Sequence, residues 1–276
     1  MNQVVDIREL NARIEQKSAF IDVLTMGMDK VIVGQKHLVE SLLIGLLSDG
    51  HILLEGVPGL AKTLAIKTLA QLIDSKYSRI QFTPDLLPAD VLGTMIYSQK
   101  TEDFSVRKGP VFANFILADE INRTSSKTQS ALLEVMEEGK VTVDGVTREL
   151  PKPYIVIATQ NPIGSIGTQM LPESQLDRFM VKLSIGYPDV ESEANILMGK
   201  QNHNPLDDVK TVCTKEDLVT MQQIAEEITV SPAVYDYIAR LAATTRNHPM
   251  LELGMSPRGA IAIARLARAH AFLSGR

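Results

Sequence analysis

The sequence predicts an α/β fold: a parallel sheet between helices, followed by a smaller all-helical region. Short apolar runs of strand length alternate with segments of helical period up to about residue 188. Beyond Tyr187-Pro188-Asp189 only helical patterns follow. We therefore predict a core over residues 1–188, beginning with a helical segment, and a helical domain over 189–276.

Five strands are predicted, with one helical segment at 35–48 before the first strand and another at 125–139 between the third and fourth. The strand candidates are apolar or alternating runs at 51–55, 77–82, 114–118, 154–158 and 179–185. Gly139 is expected to end the second of those helices in a left-handed conformation. Because strands and helices alternate, the strands should run parallel, with helices on both faces of the sheet.

Two segments interrupt this alternation and are predicted to be hairpins inserted into the core. Residues 93–112 contain two alternating stretches around a charged tip near Lys100 to Asp103. Residues 139–150 place Asp144-Gly145 between two alternating stretches, a strong signal for a tight β-turn. In the helical region, Ser231 and Ser256 each precede a proline and are expected to cap a helix.

Composition narrows the class of protein. The 276 residues include 45% hydrophobic and 22% charged residues, which is typical of a globular chain. The single cysteine, Cys213, cannot form an internal disulfide and is expected to be inert. No apolar run suits a membrane span, and the N-terminus does not resemble a signal peptide, so a cytoplasmic protein is expected. A net charge of −5 disfavours a nucleic-acid binder, and the scattered histidines give no zinc spacing.

Residues 56–63, GVPGLAKT, nearly match the phosphate-binding loop G-x-x-x-x-G-K-S/T. They lie between a predicted strand and a predicted helix, where backbone N–H groups and the helix dipole favour an anion. Lys62 would contact phosphates and Thr63 would bind magnesium. Ala61 replaces the second glycine. Alanine suits a chain entering a helix, so we expect a negative φ there.

Acidic and polar residues follow two of the predicted strands. Asp119 and Glu120 end one strand, where Asp119 would bind magnesium and Glu120 would activate water. Asn161 follows the next strand and could position that water. Taken alone, each pattern also fits a solvated acidic pair or a turn asparagine before proline.

Two arginines complete the series of candidate site residues. Arg178 lies just before the fifth strand, and Arg258 lies in the first turn of a helix. Isolated arginines are usually solvated surface residues. A helix N-terminus, however, is a poor place for a cation, so Arg258 is expected to have an anionic partner.

The order and spacing of these motifs resemble those of the AAA+ ATPases. Their local amino-acid sequences resemble the MoxR family within that class. The resemblance covers residues 30–276. It implies a P-loop AAA+ core with a helix-2 insert at 93–112, a pre-sensor-1 hairpin at 139–150 and a C-terminal all-α lid. The motifs that carry it are VGQ, GVPGLAKT, FTPDLLPADVLG, GPVFANFILADEINR, QSALLEVMEEGKVTVDG, ATQNP, LPESQLDRF and GMSPRG.

The resemblance implies ATP and Mg²⁺ as cofactors and assigns residue roles. Asp119 and Glu120 match Walker B, and Asn161 matches sensor 1. Arg178 matches the arginine finger and Arg258 matches sensor 2, while Arg123 could also face a neighbouring subunit. Thr63 and Asp119 would hold the metal. The cofactor-binding set is Val33, Gly34, Gly56, Val57, Pro58, Gly59, Leu60, Ala61, Lys62, Thr63 and Leu64.

The implied function is chaperone-like remodelling or activation of partner proteins, driven by ATP hydrolysis in a ring of six subunits. Proteins with von Willebrand factor A domains are the clients that the resemblance suggests. A nucleotide-gated scaffold with slow turnover, a magnesium-chelatase-like motor and a nucleic-acid motor are the alternatives. Family members usually continue with a further lid segment beyond the position of Arg276, which leaves the completeness of the lid open.

Overall fold

A computed structural model describes residues 7–56, 62–100, 102–160, 170–187, 190–199 and 205–276. The strands are β1 Ile52–Gly56, β2 Tyr77–Gln81, β3 Gly93–Ser98, β4 Asp103–Lys108, β5 Phe115–Asp119, β6 Lys140–Val143, β7 Val146–Glu149, β8 Ile155–Gln160 and β9 Val181–Ile185. The helices are α1 Ile7–Asp29, α2 Lys36–Leu47, α3 Lys62–Leu72, α4 Pro88–Leu92, α5 Ser126–Glu138, α6 Glu173–Leu176, α7 Val190–Gly199, α8 Lys215–Glu227, α9 Pro232–Arg246 and α10 Pro257–Leu273, with 3₁₀ turns at Ile121–Arg123 and Pro205–Asp208.

The central sheet confirms the predicted α/β fold. Its five strands are all parallel, in the order β2-β5-β8-β1-β9. Every residue of β8 is buried, as expected for a central strand covered on both faces. Helix α5 ends at Gly139 with φ 64°, the left-handed conformation that the sequence predicted for this glycine.

Both predicted hairpins are present. Strands β3 and β4 pair antiparallel, with Gly93 opposite Lys108. Strands β6 and β7 are joined by Asp144 and Gly145, whose φ values are 51° and 75°. Two positive φ angles at the centre of a two-residue turn match the right-handed twist of the flanking strands.

Two of the helices after residue 190, α8 and α10, share a core with the first three helices. Leu218 and Met221 of α8 and Phe272 of α10 are buried in the same hydrophobic cluster as Leu24 of α1 and Leu42 of α2. The division proposed at residue 188 falls on residues outside the described part and stays a prediction. In the described part, no helix is both long and apolar enough to span a bilayer.

Of the two serines predicted to cap helices, only Ser256 does so through its side chain. The Ser256 hydroxyl caps α10 by accepting a hydrogen bond from the Gly259 N–H at 2.9 Å. Ser231 occupies the cap position of α9, but its side chain makes no capping hydrogen bond, so the prediction of a capping hydroxyl was wrong there. Burial raises the pKa of Cys213 to about 11, which agrees with an inert thiol.

Candidate nucleotide site at the carboxyl edge of the sheet

Lys62 lies buried at the carboxyl edge of the sheet, in the first turn of α3. Its Nζ donates a hydrogen bond to the Gly56 carbonyl at 2.9 Å, and the residue is 7% exposed. Burial lowers the pKa of Lys62, while the negative charges of Asp119 and Glu120 oppose that shift. A buried ammonium group near two carboxylates indicates that the connection between β1 and α3 belongs to a charged site and is not merely a strand-to-helix turn.

Asp119, the last residue of β5, is held by both of its carboxylate oxygens. The Thr159 hydroxyl donates to Oδ1 at 2.7 Å. Arg79 of β2 donates to Oδ2 through Nη2 at 2.5 Å and Nε at 3.1 Å. Both partners lie on strands adjacent to β5 in the sheet. The carboxylate is therefore fixed in direction before any ligand binds.

Glu120 has a left-handed backbone, with φ 57° and ψ 46°. That conformation costs a non-glycine residue roughly 1–2 kcal/mol. The Glu120 N–H donates to the Thr159 hydroxyl at 2.8 Å, which stabilises the strained turn. Its Oε2 accepts hydrogen bonds from Gln81 Nε2 at 3.1 Å and Arg123 Nη1 at 2.8 Å. Backbone strain of this kind persists where surrounding contacts hold it, and it often clusters at functional sites.

Gly56 is required by close packing rather than by a left-handed backbone. A Cβ at this position would lie 2.6 Å from the Ile185 carbonyl oxygen on the neighbouring strand β9. Just beyond β9, the Gly186 carbonyl accepts a hydrogen bond from Gln35 Nε2 at 3.4 Å. The segment with Val33 and Gly34 therefore lies at the same edge of the sheet as the start of the phosphate loop.

Comparison with known proteins agrees with this geometry. Residues 51–181 match the model of the ATPase family associated with various cellular activities (AAA), and residues 243–276 match an AAA lid domain. The chain is 47% identical to Chaperone MoxR1 of Mycobacterium tuberculosis, across 90% of this chain and 67% of that protein. The chain belongs to the MoxR family of AAA+ ATPases.

Two further relatives support membership of the MoxR family. The uncharacterized protein YeaC of Bacillus subtilis is 47% identical over 90% of this chain and 78% of its own length. The crystal structure of a protein from Cytophaga hutchinsonii, described as a candidate ATPase, superposes with a TM-score of 0.87 at 44% identity. That superposition covers 98% of this chain and 83% of the other. The fold and the family are thus established over almost the whole chain.

The described residues fit magnesium and ATP, as expected of a MoxR protein. Magnesium prefers oxygen ligands and is commonly held by one or two protein groups together with substrate phosphates. Asp119 supplies a carboxylate, and Thr63 supplies a half-buried hydroxyl next to Lys62. The Lys62 ammonium contacts a backbone carbonyl and has further N–H donors for phosphate oxygens. Leu64, the next residue of the predicted set, packs against the core.

The two arginines predicted for the site lie at the opposite, amino edge of the sheet. Arg178 precedes β9, and the nearby Met180 N–H bonds to the His51 carbonyl just before β1. Arg178 Nη1 contacts Glu137 Oε2 at 2.7 Å, and Arg258 Nη2 contacts Glu137 Oε1 at 2.7 Å. The length of β1, roughly 13 Å of strand, separates this edge from Lys62. Within one subunit, neither arginine therefore lies near Lys62, Asp119 and Glu120.

Several predicted site residues lie outside the described part of the chain. These are Val57, Pro58, Gly59, Leu60, Ala61 and Asn161, so the φ expected for Ala61 also stays a prediction. Arg123, the further arginine that could face a neighbouring subunit, contacts Glu120 within its own subunit, and its role between subunits stays a prediction.

The structure adds Arg79, Gln81 and Thr159 to the site. Arg79 and Gln81 are two residues apart on β2 and project from the same face, and Gln81 is opposite Asp119 in the strand register. Ala118 is opposite Ala158, so Asp119 and Thr159 follow at the same level. The sequence signal for these three residues is that each is a polar residue near the end of a strand. That signal identifies site residues only once the order of the strands in the sheet is known.

Proposed function

We propose that this MoxR protein hydrolyses ATP with magnesium and uses the cycle to remodel or activate partner proteins. The observation that carries this proposal is the position of Lys62, buried between the Gly56 carbonyl and the carboxylates Asp119 and Glu120. A lysine at a helix N-terminus beside two strand-end carboxylates is the arrangement used for phosphoryl transfer in P-loop ATPases.

Each residue has a separate role in this mechanism. Lys62 binds the β- and γ-phosphates, and Thr63 and Asp119 would hold magnesium. When bound, the metal neutralises charge on the phosphate oxygens and orients them. Glu120 accepts a proton from the attacking water. For this, its carboxylate has to exchange the contacts with Gln81 and Arg123 for a contact with water.

The site is completed between subunits of a ring, for which we propose six members. Arg178 and Arg258 lie too far from Lys62 of their own subunit to contact the same phosphate. A ring built from head-to-tail contacts would bring the amino edge of one subunit to the carboxyl edge of the next. The two arginines then stabilise charge on the γ-phosphate bound by the neighbour.

Exposed apolar residues on the hairpin β3–β4 support the proposal that the protein acts on a protein client. Ile96, Tyr97 and Phe104 are exposed, and the rings of Tyr97 and Phe104 pack with their centres 5.2 Å apart. Exposed apolar side chains suit contact with apolar segments of another protein. The name chaperone carried by the relative from Mycobacterium tuberculosis agrees with this proposal. Proteins with von Willebrand factor A domains are the first clients to test.

The proposal is tested with Glu120→Gln, which preserves size and removes the general base. Turnover should fall about 10²- to 10⁴-fold, because general base catalysis typically contributes that much. Nucleotide binding, measured by fluorescence with a labelled ATP analogue, should stay intact. Glu134→Gln, at an exposed position on α5, is the matched control. Wild-type turnover in the Glu120 variant would remove this residue from its role.

A further inference from the structure

Glu137 lies at the point where the core and the lid meet, and it binds an arginine from each. Its Oε2 accepts from Arg178 of the core at 2.7 Å, and its Oε1 accepts from Arg258 of the lid at 2.7 Å. Using one carboxylate oxygen for each guanidinium places the two cations side by side. Without an anion between them, two guanidinium groups at this spacing would repel each other.

The position of Glu137 is itself fixed by the core. It is the penultimate residue of α5, and the preceding Met136 carbonyl is hydrogen-bonded to the His51 ring at 3.0 Å. The Val156 N–H donates to the other ring nitrogen of His51 at 3.1 Å, which ties this helix end to the sheet. Arg178 also donates to the Leu133 carbonyl at 3.0 Å. Arg178 therefore has support from the core besides Glu137.

Arg258 depends more strongly on Glu137. It lies in the first turn of α10, where the helix dipole disfavours a positive charge. Among the described residues, the only hydrogen-bonding or ion-pair partner found for its side chain is Glu137. Next to this contact, the Ser256 hydroxyl donates to Asp177 Oδ1 at 2.6 Å, so the start of α10 is joined to the core at two adjacent points.

The arginine pair remains accessible from solvent. The side chains of Arg178 and Arg258 are 31% and 50% exposed, and they line a cavity of about 300 Å³. Exposed ion pairs of this kind are each worth about 0–1 kcal/mol, so an incoming phosphate can compete with Glu137 for the guanidinium groups. Asp49, Asp177 and Arg265 also line this cavity, so a phosphate would be attracted by the two accessible guanidinium groups rather than by a net charge of the cavity.

We propose that Glu137 is a positioning residue, which holds Arg178 and Arg258 together so that both reach one phosphate of the neighbouring subunit. This inference rests on the proposed function, because it assigns both arginines to a neighbour's nucleotide. Glu137 touches no nucleotide itself. It couples the placement of the lid to the placement of the core arginine.

The test is steady-state turnover of the full chain with Glu137→Gln, and Glu138→Gln as control. Glu138 is the next residue on the same helix end and pairs with Lys140 at 3.4 Å, away from both arginines. Misplacing a catalytic group by about 1 Å can cost roughly 100-fold. We expect kcat of Glu137→Gln to fall about 10- to 100-fold with KM unchanged. Glu138→Gln should behave as wild type.

A double-variant comparison separates positioning from a general loss of structure. If Glu137 acts through the arginines, Glu137→Gln should have no further effect in an Arg178→Ala, Arg258→Ala background. A further tenfold loss there, or wild-type kcat in the single variant, would overturn the proposal. Glu137→Asp, which is one methylene shorter, should lie between wild type and Glu137→Gln. Full activity of the arginine variants themselves would instead contradict the proposed function.

Discussion

The two edges of the parallel sheet carry opposite arrangements of charge. At the carboxyl edge, buried Lys62 faces the carboxylates Asp119 and Glu120. At the amino edge, Arg178 and Arg258 share the carboxylate of Glu137. The first group is largely buried and tightly hydrogen-bonded, whereas the second is accessible and held by exposed ion pairs.

This difference indicates how the two edges divide the work. Under the proposed function, the carboxyl edge would supply metal ligands, a phosphate-binding lysine and a general base, but within its own subunit it lacks Arg178 and Arg258. The amino edge offers two arginines, but among the described residues there it has neither a phosphate loop nor a pair of strand-end carboxylates. We infer that the edges are complementary halves of one site, contributed by adjacent subunits.

The largest effect should come from Arg178→Ala. Arginines that stabilise the transferring phosphate contribute about 10³ to 10⁵ in rate, so turnover should fall about 10³-fold. Arg258→Ala should lose less, about 10- to 100-fold. The dissociation constant of ATP for the isolated subunit should not change, since neither side chain contacts its own nucleotide site. Arg240→Ala, which removes an exposed arginine paired with Asp236, is the control. Weaker ATP binding together with normal turnover in Arg178→Ala would contradict this division of roles between the two edges of the sheet.

Lys62→Met should separate stability from nucleotide binding. Burial lowers the pKa of Lys62, so at pH 7 the folded protein bears the cost of a buried charge. The cost is fully present below the lowered pKa and fades as pH rises toward the unfolded value of about 10.4. Without nucleotide, the variant should therefore melt higher than wild type at pH 7, with a smaller difference at pH 10.

Adding ATP and magnesium should raise Tm for wild type only. Saturating ligand at about 100 times its Kd stabilises a protein by about 2.7 kcal/mol, and Lys62→Met should lose that gain. Lys67→Met, at an exposed position of the same helix, should keep it. An equal ATP-dependent rise in both variants would show that Lys62 does not bind the phosphates.

A smaller effect is expected from Thr159→Val, which keeps shape but removes the hydroxyl between Asp119 and Glu120. The Glu120 N–H would lose its hydrogen bond to this hydroxyl, and losing a buried hydrogen bond typically costs about 1–3 kcal/mol. Each kcal/mol should lower Tm by about 2–4 °C in a chain of this size. Thr142→Val, which removes an exposed hydroxyl bonded to Thr147, should be nearly neutral. Equal melting temperatures would mean that Thr159 does not support the strained turn.

Local pattern predicted most of the fold and the carboxyl-edge residues. The five strands, the Asp144-Gly145 turn and the carboxylates at the end of β5 each depend on neighbouring residues, so periodicity and turn chemistry were sufficient. Because a helix dipole disfavours a cation at the helix N-terminus, an anionic partner was also predicted for Arg258, and Glu137 is that partner. These features are local because a strand, a turn or a helix end constrains only a few residues.

The remaining contacts depend on packing between distant segments. Glu137 meets Arg258 across 121 positions of sequence, because the fold brings the start of α10 to the end of α5. Arg79 reaches Asp119 only because β2 and β5 are neighbours in the sheet. Neither contact follows from periodicity. The placement of the two arginines away from Lys62 likewise required the strand order and the position of the lid.

Mixing two inactive variants tests most directly whether the two edges form one site between subunits. Lys62→Met retains its arginines, and Arg178→Ala retains its phosphate site. In mixed rings with equal amounts of each, roughly a quarter of the interfaces would combine an intact carboxyl edge with an intact amino edge. If the two edges form one site, turnover should return to about that fraction of wild type. No recovery at any mixing ratio, in rings confirmed by mass to contain both variants, would contradict a shared site.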